Sequence, residues 1–137
     1  EIITKQTIQG RASGTVVLAE YQTRGRGRRG KDWISPFGSN IYLSIIWDFD
    51  TGASALQGLS LSVGVAVKRA LAQLGLDTVK LKWPNDILLN SKKISGMITE
   101  NVVEGEKVYI NFGVGINPID FKKNYIVIFK IFFKCIF

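Results

Sequence analysis

The chain has 137 residues, 46% of them hydrophobic and 21% charged, which is room for one modest domain with a single core and excludes disorder on composition. One cysteine, Cys135, and no histidine exclude an internal disulfide framework and argue against any protein-held zinc or other transition metal, leaving oxygen-bound Mg²⁺ open. The net charge of +7 is concentrated: residues 24–31 carry +5 and residues 122–137 carry +4. Nucleic-acid binders spread their cations over a face that tracks a backbone, so a small anionic ligand held at one loop fits this distribution better.

In chain order, residues 2–9 read as the end of a helix closed near Gly10, and residues 15–21 (TVVLAEY) are β-branched and apolar enough for a buried strand. A basic loop follows. Pro36 and Gly38 then break any helix, and residues 41–48 (IYLSIIWD) return to strand. Ser54 is placed to cap a helix whose apolar residues Leu56, Leu59, Val63, Val67, Leu71 and Leu74 recur at three- and four-residue steps, with Gly75 just past its end. After it come a strand over 79–83, a turn at Pro84-Asn85-Asp86, strands over 87–89 and 94–100, a turn over 104–106, and a strand from Lys107. Hairpin-linked strands around one helix predict an α+β class of α/β protein: a mixed sheet with helices packed on one side, not a doubly wound parallel sheet.

The start of the chain has no charged region followed by an apolar segment, so the expectation is a cytoplasmic protein. It begins at Glu1 without an initiator methionine, as a fragment or processed product would. The last residues, NYIVIFKIFFKCIF, are too short and too interrupted by Lys130 and Lys134 for a membrane span. They read either as a final strand or hydrophobic terminus, or as a segment that is not the domain's natural ending.

The basic loop, GRGRRGK over 25–31, joins three glycines to four cations. Glycine permits close backbone approach to a ligand, and arginine offers a rigid fork of donors matched to carboxylate and phosphate. Two known patterns overlap it and both fail on context. Gly25 to Gly30 spells G-x-G-x-x-G, but residues 31–40 contain Pro36 and Gly38 and cannot open the helix that a dinucleotide site requires. Gly25 to Lys31 spells G-x-x-x-x-G-K, but Asp32 stands where a Walker loop needs serine or threonine. The bland alternative is a solvated, self-repelling charge run that orders only when an anion arrives.

Two further stretches carry chemistry. In KLKWPNDILLNSKKISGMITE, Lys82 ends a strand, and Asn85 and Asp86 either bond the turn backbone or face a pocket. In FGVGINP, Gly113 and Gly115 alternate with apolar residues in a strand, which marks a place where a ligand or another backbone comes close.

Together, EYQTRGRGRRGKDWISPFGSNIYLS, KWPNDILLNSKKISGMITE and GVGINP, in that order and spacing, closely resemble the catalytic domain of bacterial biotin–protein ligases (biotin–[acetyl-CoA-carboxylase] ligases). The resemblance makes residues 1–118 a partial catalytic domain and 119–137 an apolar tail that departs from the family pattern. It implies a class II synthetase-like fold, biotin and ATP with Mg²⁺ as ligands, and a biotin carboxyl carrier domain of acetyl-CoA carboxylase as partner. Gln22, Arg26, Gly27 and Arg28 match biotin-contacting positions, with Gly25 in the same loop. Lys82 matches a lysine near the biotin carboxylate, so Lys82 and Arg28 are the expected catalytic pair. Trp33 matches an aromatic residue near the nucleotide, and Gly115 and Asn117 fall in the adenosine-binding strand. Asn85, Asp86, Lys93 and Gly96 match motif positions with no single role attached.

The resemblance implies that biotin's carboxylate attacks the α-phosphate of ATP, and that a carrier lysine then attacks the resulting adenylate. It also implies a Ser-Thr pair before residue 1 and further elements after Pro118, so a fragment is expected. A lipoate–protein ligase relative and a non-catalytic ligand-binding remnant are the rivals; no membrane or nucleic-acid partner is expected, and homodimerisation is left open.

Overall fold

Alternation in KVYINFGVGI decides how the sheet divides the molecule. In the computed structural model, which describes residues 11–50, 58–104 and 107–117, this segment is a strand, and Val108, Ile110, Phe112, Val114 and Ile116 are all buried on one face. Tyr109, Asn111, Gly113 and Gly115 therefore point to the other, because successive side chains alternate across a strand.

Six strands are described: β1 (Thr15–Ala19), β2 (Ile41–Phe49), β3 (Lys80–Lys82), β4 (Asp86–Leu89), β5 (Lys92–Glu104) and β6 (Lys107–Ile116). They form one sheet in the order β1-β2-β6-β5-β4-β3. The expected α+β architecture, a sheet with a helix packed on one side, is what the chain adopts, and every described pairing is antiparallel. Register places Leu43 opposite Val114 and Ile45 opposite Phe112, while on the other face Tyr42 meets Gly115 and Ser44 meets Gly113.

The helix, α1 (Leu59–Gln73), buries Val63, Ala66, Val67, Ala70 and Leu71, the stripe that three- and four-residue spacing dictates. It packs on the apolar sheet face, where Ile41, Leu43, Ile45, Ile110, Phe112 and Val114 complete the core. Its end is the predicted glycine stop: Gly75 has φ +89°, its N–H donates to the Ala72 carbonyl at 2.9 Å, and the Leu76 N–H donates to Leu71 at 3.0 Å, a Schellman cap. Gly58, with φ +84°, precedes the helix. Ser54 and Leu56, the helix over 2–9, the turn at 105–106 and the tail beyond residue 117 lie outside the described residues.

The β4–β5 hairpin turns on Asn90 and Ser91, both at positive φ (48° and 62°), the left-handed pair that a two-residue hairpin requires. The expected turn between β3 and β4 contains a cis Trp83–Pro84 peptide.

Candidate active site

The sheet face opposite α1 has a floor of small residues. Ala19 and Val17 of β1, Ser44 of β2, Gly96 and Ile98 of β5, and Gly113 and Gly115 of β6 line a trough there, with a free volume of about 110 Å³. Glycine at 113 and 115 follows from crowding above the floor. A Cβ on Gly113 would lie 2.8 Å from Ile98 Cγ2, and one on Gly115 would lie 2.8 Å from the Trp33 ring. The glycine alternation in the sequence thus marks a close approach, as expected.

The basic loop roofs this trough. No α-helix follows it: residues Arg28–Gly30 make one 3₁₀ turn with Arg29 at φ 57°, and the chain then runs extended, so the dinucleotide and Walker readings fail here too. The loop closes on itself through the Gly27 N–H to the Lys31 carbonyl at 2.6 Å and the Trp33 N–H to the Gly25 carbonyl at 2.9 Å. Two arginines are tied to the body. Arg26 pairs with Glu100 of β5 at 3.2 Å, and Arg28 Nη1 donates to Asn85 Oδ1 at 3.2 Å. The sequence predicts a loop that repels itself until an anion arrives; the structure instead gives Arg26 and Arg28 protein partners, which offsets that repulsion.

Most of the predicted site residues come together. Gln22, Arg26, Gly27, Arg28, Trp33 and Gly115 all line the trough. The Gln22 Oε1 accepts from Ser35 Oγ at 2.7 Å, which fixes the amide. Gly25 sits behind the wall, where a Cβ would run into Trp33's carbonyl and Ser35 Oγ. Asn117 donates its backbone N–H to the Ile94 carbonyl at 2.7 Å, and its Oδ1 is buried with no donor among the described residues.

Lys82 is placed differently. It is exposed at the end of β3, the strand at the sheet's edge, and does not line the trough. Lys93 does. Its ammonium pairs with Asp86 at 2.8 Å and lies 5.2 Å from the centre of the Trp33 ring, within reach of a cation–π attraction. Asn85, named in the sequence without a role, holds the corner: its Nδ2 donates to the Met97 carbonyl at 2.7 Å while its oxygen takes Arg28. Glu100, which closes the KWPNDILLNSKKISGMITE stretch, was given no role there, and Asn111 gave no motif signal; both line the trough, on the face where strand alternation puts them.

Trp33 occupies much of the space. Its indole lies over Gly96 and Gly115, with Nε1 buried and without an acceptor among the described residues. The free volume left, about 110 Å³, is below the roughly 300 Å³ at which ligand pockets begin. Among the described residues no group of three or more His, Cys, Asp or Glu could hold a metal ion, and no helix is long and apolar enough to cross a membrane.

The sequence that builds this trough and its arginine loop is matched by a family model. Residues 4–117 fit the Biotin/lipoate A/B protein ligase family. The chain belongs to this family. It is 46% identical over 106 residues to the bifunctional ligase/repressor BirA of Escherichia coli (strain K12), covering 77% of this chain and 33% of that protein. It is 36% identical over 108 residues to the biotin–[acetyl-CoA-carboxylase] ligase of Mycobacterium tuberculosis, covering 76% of this chain and 39% of that protein. The biotin acetyl coenzyme A carboxylase synthetase of Helicobacter pylori, solved with bound biotinylated ATP, superposes with a TM-score of 0.79 at 27% identity, covering 96% of this chain and 65% of that one. The chain spans between a third and two fifths of the length of these two curated relatives.

Proposed function

We propose that this chain is the adenylating core of a biotin–protein ligase: it binds biotin and MgATP in the trough, joins them as biotinyl-5′-adenylate, and passes biotin to a lysine of a biotin carboxyl carrier domain. The observation that carries the reading is a set of cations around a trough floored mainly by small and apolar residues. Lys93 stands beside Gly96 and Trp33, and Arg26 and Arg28 roof the same trough. The relatives named as biotin ligases, and the neighbour solved with biotinylated ATP, supply the substrate class.

In the first step a carboxylate oxygen attacks the α-phosphate and pyrophosphate leaves, so two anions must be brought together while charge builds on the phosphoryl oxygens. Fixed cations at that point oppose the repulsion and stabilise the transition state. Lys93, reaching into the trough from β5, is the group assigned to the reacting carboxylate and α-phosphate. Lys82, exposed on the edge strand, is left to more distant charges. Mg²⁺ would arrive with the nucleotide, bound to its phosphates and to water, and would neutralise part of their charge. In the second step the carrier's lysine amine attacks the acyl carbonyl, AMP leaves with the bonding electron pair, and an amide remains. Between the steps a mixed anhydride must be kept from water, which is the service of a glycine-hinged roof and of Trp33. A cytoplasmic location, where ATP and carboxylases are at hand, goes with this chemistry.

Incubation with MgATP and biotin, followed by mass spectrometry, tests the reading. Biotinyl-5′-adenylate is the expected product, with no lipoyl adenylate when lipoate replaces biotin. A lipoyl adenylate in place of the biotinyl one would overturn it.

A further inference from the structure

Ser35 is out of keeping with its stretch of chain. From Arg11 to Asn40 it alone is buried, at 5% exposure, while Ile34 beside it is 84% exposed. A hydroxyl taken out of water costs free energy unless it is bonded, and alanine would fill such a place in a loop without that cost. The bond that Ser35 makes therefore needs a reason. Its Oγ carries one proton and has two acceptors in reach, Gln22 Oε1 at 2.7 Å and the Trp33 carbonyl at 3.1 Å. The Gln22 amide is the nearer.

Place in the loop says what that bond does. Gln22 opens the basic loop and Ser35 follows its end. Between them the Trp33 N–H meets the Gly25 carbonyl at 2.9 Å, the Gly27 N–H meets the Lys31 carbonyl at 2.6 Å, and Arg26 bridges Asp32 in antiparallel fashion. The bond from Ser35 to Gln22 stands at the foot of this ladder, and of these bonds it alone joins two side chains. Space there is tight: a Cβ on Gly25 would lie 2.6 Å from Ser35 Oγ and 3.2 Å from Gln22 Oε1. Gln22 in turn lines the trough. A glutamine left alone turns about several bonds and presents either end of its amide; tied through Oε1, it is held in one rotamer with one end committed. A contact organised beforehand costs the ligand less to make. We propose that Ser35 is a positioning residue of the site that acts through Gln22, its hydroxyl setting the amide against the bound ligand. This rests on the biotin reading above, with Gln22 as one of the contacts.

Titration calorimetry of the whole chain with biotin, run as a double-mutant cycle, tests the assignment. Ser35→Ala is expected to weaken biotin binding about fivefold. In a Gln22→Met background, where no amide remains to be held, adding Ser35→Ala is expected to change the affinity less than about twofold. Ser35→Cys, which keeps the size and a weak donor, is read beside Ser35→Ala so that a loosened loop is not mistaken for a lost hydrogen bond, and is expected to lose less. Unchanged biotin affinity in Ser35→Ala or in Gln22→Met would overturn the proposal. So would a loss from Ser35→Ala that is as large in the Gln22→Met background, since a merely structural role adds where a positioning role does not. A wild-type chain that binds no biotin would overturn the biotin reading and this inference with it.

Discussion

The indole of Trp33 lies where a side chain on Gly115 would have to be: a Cβ there would come within 2.8 Å of Cε2 and Cζ2 and 2.9 Å of Nε1. Gly115 has none of the positive φ values found at the turn glycines, so it is glycine for space and not for backbone freedom. Gly115→Ala is expected to lift the ring off the floor and lower biotin-dependent pyrophosphate release about tenfold or more, since small misplacements at a reacting centre cost that much. A red shift of Trp33 emission, read in a background with Trp47 and Trp83 replaced by phenylalanine, checks that the ring has moved.

The two candidate lysines are separable by kinetics. Lys93→Ala removes the cation inside the trough, and the expected loss in kcat is about 10²- to 10³-fold, the scale on which a single stabilising donor acts. Lys82→Ala, at the exposed edge, is expected to cost much less. Steady-state rates of the two variants at saturating biotin decide the order, and a greater loss for Lys82→Ala would reverse the assignment.

The loop arginines should matter for ligand and hardly for stability. Arg26 is more than half exposed beside Glu100, so the pair contributes under about 1 kcal/mol after solvent screening. Arg26→Ala and Arg28→Ala are expected to leave the urea midpoint nearly unchanged and to weaken biotin binding about tenfold. Unchanged biotin affinity would make the loop an inert cover.

On the other sheet face the core sets stability. Ile45 is fully buried in the cluster beneath α1, and Ile45→Ala is expected to cost about 2–5 kcal/mol through lost transfer energy and the cavity left behind. Urea denaturation followed by far-UV circular dichroism measures it.

Elements with a repeating signal were legible in the sequence. The α1 stripe, the glycine stop at Gly75 and the alternation in β6 each rest on spacing, and each stands where spacing put it. The candidate site was legible where a motif was continuous: Gln22, Arg26, Arg28 and Trp33 share one loop, and the fold lays that loop on the trough. Lys82 and Lys93 show where reading along the chain stops. Both follow from one motif, but a hairpin lies between them, and only the order of strands puts one at the sheet's edge and the other over the floor. Asn111 carries no local pattern; its buried Oδ1, without a donor among the described residues, is a property of the packed structure.

The most direct test of the account is pyrophosphate release from MgATP by the 137-residue chain, with biotin and with lipoate as the acid. The account predicts release that depends on biotin, stays at background with lipoate, and falls about 10²- to 10³-fold in Lys93→Ala. Release that is indifferent to biotin, or that survives the loss of Lys93 intact, would contradict it.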